Sequence, residues 1–207
     1  MVSTLQVQSG PTFGEVEIKL PESMTIAAAE FEDLCLRNPE LKAELSRNGD
    51  LIIMVPTGGT AGWRNLELLR EIGNWARTDG SGIAFDSSTA FALPNGARRG
   101  PDAAWIRWER WDKLTDEEKD RFPPICPDFV VELRSKTDRL QTLQDKLVEF
   151  IENGVVLGLL IDPIEQFVHV YRPGAEPWIV EKPDAIEGDP ELPGLTIELT
   201  RIWGDGR

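Results

Sequence analysis

Residues 127–135 read Pro-Asp-Phe-Val-Val-Glu-Leu-Arg-Ser, and they limit what this 207-residue chain can fold into more than any other stretch. Phe129, Val130 and Val131 are aromatic or β-branched, which favours a strand. Side chains alternate along a strand, so Phe129, Val131 and Leu133 make one apolar face. Asp128, Val130, Glu132 and Arg134 fall on the other. A mid-chain strand with one dry face and one charged face implies a site laid on a sheet.

Asp128 and Glu132 are four residues apart, roughly 13 Å along a strand. That is too far for both to hold one magnesium ion, whose oxygen ligands lie at about 2.1 Å. Glu132 therefore needs a carboxylate from another strand. Gly100-Pro101-Asp102-Ala103-Ala104-Trp105-Ile106 is a second Pro-Asp heading an apolar run. Asp102 is the natural partner if the two strands are neighbours, and Asp128 is then structural. Arg134 lies roughly 7 Å beyond Glu132 on the same face, placed to hold a phosphate as a cationic fork.

Composition narrows the class. Hydrophobic residues are 41% of the chain, which argues for a globular fold and against disorder. One domain, 1–207, is expected, with 1–24 a loose or strand-like lead-in. No apolar run approaches bilayer length, and Met1 to Gly10 is polar, so no membrane contact and a cytoplasmic location are expected. Two cysteines are too few for a disulfide framework, and one histidine, His169, gives poor support to a histidine triad. The net charge of −14 counts against a polynucleotide partner, because phosphate contacts supply most non-specific affinity. A local basic set, Arg98, Arg99, Arg107, Arg110, Arg134, Lys136 and Arg139, offsets it.

Met24–Leu36 reads as a helix, and Asn48-Gly49 as the turn of a hairpin between Leu41–Leu45 and Leu51–Val55. The glycine-rich run 57–62 lacks the ending of a phosphate loop and reads as a connection into a helix over Trp63–Arg77. The buried stripe of that helix is Leu66, Leu69, Ile72 and Ala76. Glu67 lies on its side, a possible additional acid for the site. Arg139–Asn153 is a second helix, with Leu140, Leu143, Leu147, Phe150 and Ile151 as its stripe. Lys146, at the edge of that stripe, either reaches water or leans into a site. Val155–Ile161 suits a strand buried on both faces, and 166–172, 178–181 and 195–199 read as later strands. The fold class is α/β, a mixed sheet flanked by helices.

These residues, in this order, resemble the PD-(D/E)XK nuclease superfamily. More closely, the chain resembles the Uma-two family of restriction-endonuclease-like proteins, numerous in cyanobacteria. The likeness is carried by Gly100-Pro101-Asp102, by residues 127–135, and by Lys146 ahead of Phe150 and Asn153-Gly154. Leu160-Ile161-Asp162-Pro163 and Tyr171-Arg172-Pro173-Gly174 extend it. The resemblance implies a restriction-endonuclease-like core with extra terminal antiparallel strands and a metal site. Asp102 and Glu132 would hold Mg2+ or Mn2+, with the backbone carbonyl of Leu133 as a further ligand. The superfamily's commonest lysine, two residues after the glutamate, is Arg134 here, and an arginine cannot act as a base. Lys146 matches the displaced lysine. Relatives often have a histidine near the start of the first core helix; this chain has Asn65 in that neighbourhood, and no role is assigned to it.

The expected function is metal-dependent hydrolysis of phosphodiester bonds in nucleic acid, DNA in the first instance, with Asp102, Glu132 and Lys146 as the catalytic set. Pairing as a homodimer would suit a nuclease that cuts both strands. The alternative is a catalytically silent binding or regulatory module on a nuclease fold, which the acidity favours.

Overall fold

The computed structural model describes residues 6–7, 15–20 and 25–204. The chain begins with strands β1 (Gln6–Val7) and β2 (Glu15–Lys19), helix α1 (Ala28–Arg37), and strands β3 (Ala43–Leu45) and β4 (Leu51–Met54). Helix α2 (Gly59–Asp79) leads into β5 (Gly82–Asp86), β6 (Phe91–Ala92), β7 (Arg98–Arg99) and β8 (Ala103–Arg107). Single-turn helices α3 (Trp108–Trp111) and α4 (Asp116–Lys119) precede β9 (Phe129–Leu133), α5 (Leu140–Glu152) and β10 (Leu157–Asp162). Strands β11 (Phe167–Tyr171), β12 (Trp178–Glu181), β13 (Ala185–Glu187) and β14 (Thr196–Glu198) follow, then α6 (Thr200–Trp203).

Among the described residues the strands form a separate antiparallel pair, β13 with β14, and two sheets of six. The central one has the order β12-β11-β10-β9-β8-β5 and is mixed. Its one parallel pair is β9 with β10, joined through α5. A parallel pair needs such a crossover, and α5 lies on the sheet between them. The other sheet, β1-β2-β4-β3-β7-β6, is antiparallel. Its β3–β4 hairpin turns at Gly49, whose φ of 83° is the left-handed geometry that Asn-Gly turns supply. Of the expected lead-in, residues 6–7 and 15–19 are strand; its other calls, apart from Leu20, and Met24 of the first expected helix lie outside the described residues.

Both faces of the central sheet are dry. Ala103, Trp105, Phe129, Val131 and Leu133 pack with Leu68, Ile72 and Ala76 of α2. Ala104, Ile106, Val130 and Leu160 pack with Leu143, Leu147 and Phe150 of α5. The face of β9 read as charged is thus interior: Glu132 is only 3% exposed beneath α5. At Gly158 on β10 an added Cβ would sit 2.6 Å from Leu147 Cδ1, so the missing side chain is what lets α5 approach.

Helix α2 starts at Gly59, four residues before the expected Trp63, because the glycine-rich run forms its first turn. Its stripe is also turned. Leu66 is 63% exposed, and the line facing inward runs through Leu68, Ile72 and Ala76. Both lines share Ile72 and Ala76, so three-and-four spacing alone could not separate them.

Asp128 stands at the opposite end of β9 from Glu132. One carboxylate oxygen accepts the Arg107 backbone N–H at 3.0 Å, and the other pairs with Arg110 at 3.0 Å. This is a joint between β8 and β9. Asp128→Ala should cost about 2–3 kcal/mol in urea unfolding, since a backbone donor and a guanidinium lose a buried acceptor. The same variant should keep wild-type Mn2+ affinity by calorimetry; a lost affinity in a folded variant would put the site at the wrong Pro-Asp.

Candidate active site

Strand pairing sets the two acids. The antiparallel register of β8 and β9 matches Ala103 with Val131 and Ala104 with Val130. Continued one residue, it sets Asp102 opposite Glu132, on the face that α5 covers. Asp102 Oδ2 accepts the Leu133 N–H at 2.7 Å, which fastens the head of β8 to β9. Both acids line an open cavity of about 80 Å3, together with Thr57, Asn65, Ser135, Thr137 and Lys146.

Lys146 comes down from α5 and is 5% exposed. Its Nζ donates to Glu44 Oε1 and to the Gly100 carbonyl, both at 2.9 Å. It also lies 3.0 Å from Glu132 Oε1. That third contact is an ion pair between two buried side chains.

Glu44 is the residue that sequence reasoning missed. It sits on β3, in the other sheet, and is 1% exposed. Besides Lys146 it accepts the Gly100 N–H at 3.0 Å and Arg99 Nη1 at 3.0 Å. Glu44 and Lys146 thus hold Gly100 by its N–H and its carbonyl, two residues before Asp102. Arg99 also binds Glu149 of α5 at 2.6 Å. No local pattern marks Glu44, because every partner is more than 50 residues away.

The electrostatics are unbalanced. Burial pushes the Asp102 carboxyl from its ordinary 3.8 up to about 6, although the Leu133 N–H and the Lys146 charge pull the other way. Burial also raises Glu132 well above the usual carboxylate range; the Lys146 charge opposes this, and Asp102 and Glu44 add to it. Burial would raise Glu44 too, but Lys146 and Arg99 outweigh it and hold that carboxyl below the usual range. Lys146 and Arg99 face four carboxyl groups, Glu44, Asp102, Glu132 and Glu149, so two formal negative charges have no cation to match them.

That surplus and its all-oxygen donor set suit a divalent hard cation between Asp102 and Glu132. Among the described residues no three Asp, Glu, His or Cys side chains gather closely enough to hold a metal ion. Magnesium tolerates this, because it keeps several waters and binds through one or two carboxylates plus substrate phosphate.

Two expected residues do not reach the cavity. Arg134 Nη1 binds the fully buried Asp162 at 2.6 Å, so its charge is already matched. Glu67 pairs with Arg70 at 2.5 Å and Arg201 at 3.4 Å. The basic set is largely spent inside the fold: Arg98 pairs with Glu32, Arg99 with Glu44 and Glu149, and Arg107 and Arg110 with Asp128. Lys136 and Arg139 are exposed, beside the cavity residues Ser135, Thr137 and Asp138.

Residues 28–200 match the model of the Uma2 family, described as "Putative restriction endonuclease". No curated protein matches the chain. A solved structure described as a "putative nuclease" of DUF820 from Anabaena variabilis superposes with a TM-score of 0.69 at 23% identity. The match covers 86% of this chain and 97% of that one, and it shows a shared fold. Among the described residues, no helix is long and apolar enough to cross a membrane.

The raised Asp102 carboxyl has a sign that can be measured. Between pH 3.8 and about 6 the folded chain holds a proton that the unfolded chain has released. The group's contribution to stability is therefore present at low pH and lost as pH rises through 6. In chelator, Asp102→Asn should be more stable than wild type at pH 8, by up to about 3 kcal/mol, with the gap closing by pH 4. A gap independent of pH, or a less stable variant at pH 8, would contradict the burial argument.

Proposed function

The chain belongs to the Uma2 family, and from that premise we propose that its cavity hydrolyses phosphodiester bonds of nucleic acid with Mg2+ or Mn2+. One observation carries the reading: two buried acids face each other across a strand pair, with two negative charges that Lys146 and Arg99 leave unmatched. Asp102, Glu132 and the Leu133 carbonyl would hold the cation. The chemistry it supplies when bound is polarisation of a phosphoryl oxygen and a lowered pKa for water.

The chain's own groups do the rest. Lys146 holds Glu44 ionised, opposes the upward shift of Glu132 and keeps both in place, and among the described residues it is a cation built into the cavity wall where negative charge grows on the phosphate. Arg134, tied to Asp162, is not needed as a phosphate fork. Lys136 and Arg139, exposed beside the loop that edges the cavity, are the cations free to meet backbone phosphates. DNA is the substrate of first choice on the family's restriction-endonuclease character. The net charge of −14 favours a second reading, a nuclease fold that binds without cutting.

Cleavage separates the two. Plasmid, single-stranded DNA and RNA would be incubated with wild type, Asp102→Asn and Glu132→Gln in Mg2+ or Mn2+. Wild type should cut at least one of them, a chelator should stop it, and each variant should lose at least about 10²-fold in rate while remaining folded. Wild type that binds nucleic acid and cuts none would leave the binding module standing instead.

A further inference from the structure

Helix α2 sets Ala61, Asn65, Leu68, Ile72 and Ala76 along one line. Leu68, Ile72 and Ala76 are buried in the core, and Ala61 and Asn65 line the cavity of Asp102 and Glu132. An amide thus occupies a place on the inward stripe that packing alone would give to a hydrophobic residue. Its Nδ2 donates to Ser87 Oγ at 3.3 Å, which turns Oδ1 the other way. Oδ1 is buried and receives no hydrogen bond among the described residues. A buried acceptor left unpaired is costly, so its donor is to be sought in what enters the cavity.

Hydrolysis needs such an acceptor. The attacking water must turn a lone pair toward phosphorus, so its O–H bonds must point at acceptors behind it. Lys146 cannot serve, for an ammonium has three N–H bonds and only donates. Its Nζ already lies within 3.0 Å of Glu44, Gly100 and Glu132. The Asp102 and Glu132 carboxylates, on the reading above, turn to the cation. Asn65 lines the same cavity, and its unpaired Oδ1 is a neutral acceptor.

We propose that Asn65 is the positioning residue for the hydrolytic water. Its Oδ1 accepts one O–H of that water, and Ser87 stops the amide from rotating. The water oxygen bonds to phosphorus, the P–O ester bond breaks, the leaving oxygen gains a proton and the water loses one. Asn65 aims the water without taking its proton, since an amide is not a base.

The inference rests on the hydrolytic reading, and the test keeps the two apart. Asn65→Leu fills the stripe with a hydrophobic residue, and Asn65→Asp keeps an acceptor. Thermal unfolding, Mn2+ affinity by calorimetry, and cleavage at limiting and saturating substrate would be measured for both. The leucine variant should unfold no lower than wild type, bind Mn2+ within about threefold, and lose about 10²-fold in kcat with KM unchanged. The aspartate variant should recover most of that rate. Wild type that cuts alongside an equally active leucine variant overturns the role of Asn65 and leaves the nuclease intact. An equal loss in both variants with lowered unfolding temperature also overturns it, by making Asn65 structural. Wild type that cuts nothing removes hydrolysis, and the positioned water with it.

Discussion

The buried ammonium of Lys146 is the contact on which the rest of the site depends. It ties three separate parts of the fold: Glu44 from the antiparallel sheet, the Gly100 carbonyl ahead of β8, and Glu132 on β9. A lone lysine charge so deep in a protein would be expelled or neutralised. Here two carboxylates and a carbonyl surround it, so burial becomes tolerable only when all three parts are in place. Removing one partner from such a group leaves an uncompensated charge, at a typical cost of 3–5 kcal/mol. The antiparallel sheet is therefore part of the site, because through Glu44 it holds Gly100 and, two residues on, Asp102.

The same arrangement leaves charge unspent. Glu44 takes most of what Lys146 and Arg99 offer, and its carboxyl is held low in consequence. Asp102 and Glu132 remain buried with too little positive charge, and both carboxyls are raised. At Asp102 stability alone would favour an amide. Carboxylates there make sense as ligands for a cation that arrives with its own water and phosphate, which is the physical content of the nuclease reading.

The chain shows its central sheet, and one hairpin of the other sheet, in its sequence because each element carries a local signal. The alternation in Phe129–Leu133, the Pro-Asp ahead of each site strand, the apolar run at 155–161 and the Asn48-Gly49 turn all lie within one element. Asp102 could be named as the partner of Glu132 because it heads the other Pro-Asp strand; that the two share a face follows from the register of Ala103 with Val131. What was not legible depends on contacts far along the chain. Glu44 has no local mark, and Arg134 looked available until Asp162, on the next strand, bound it. The seven basic residues looked like a patch, yet carboxylates distant in sequence take up five of them. Leu66 and Leu68 lie on stripes of equal quality until packing against β8 and β9 selects one.

The central claim is that the two unmatched charges belong to a divalent cation held by Asp102 and Glu132. Its most direct test is a crystal soaked in Mn2+ with anomalous data collected near the manganese edge. The account predicts one strong peak between the Asp102 and Glu132 carboxylates, with Lys146 still bound to Glu44. No peak there at millimolar Mn2+, or a peak at Asp128 instead, would contradict it.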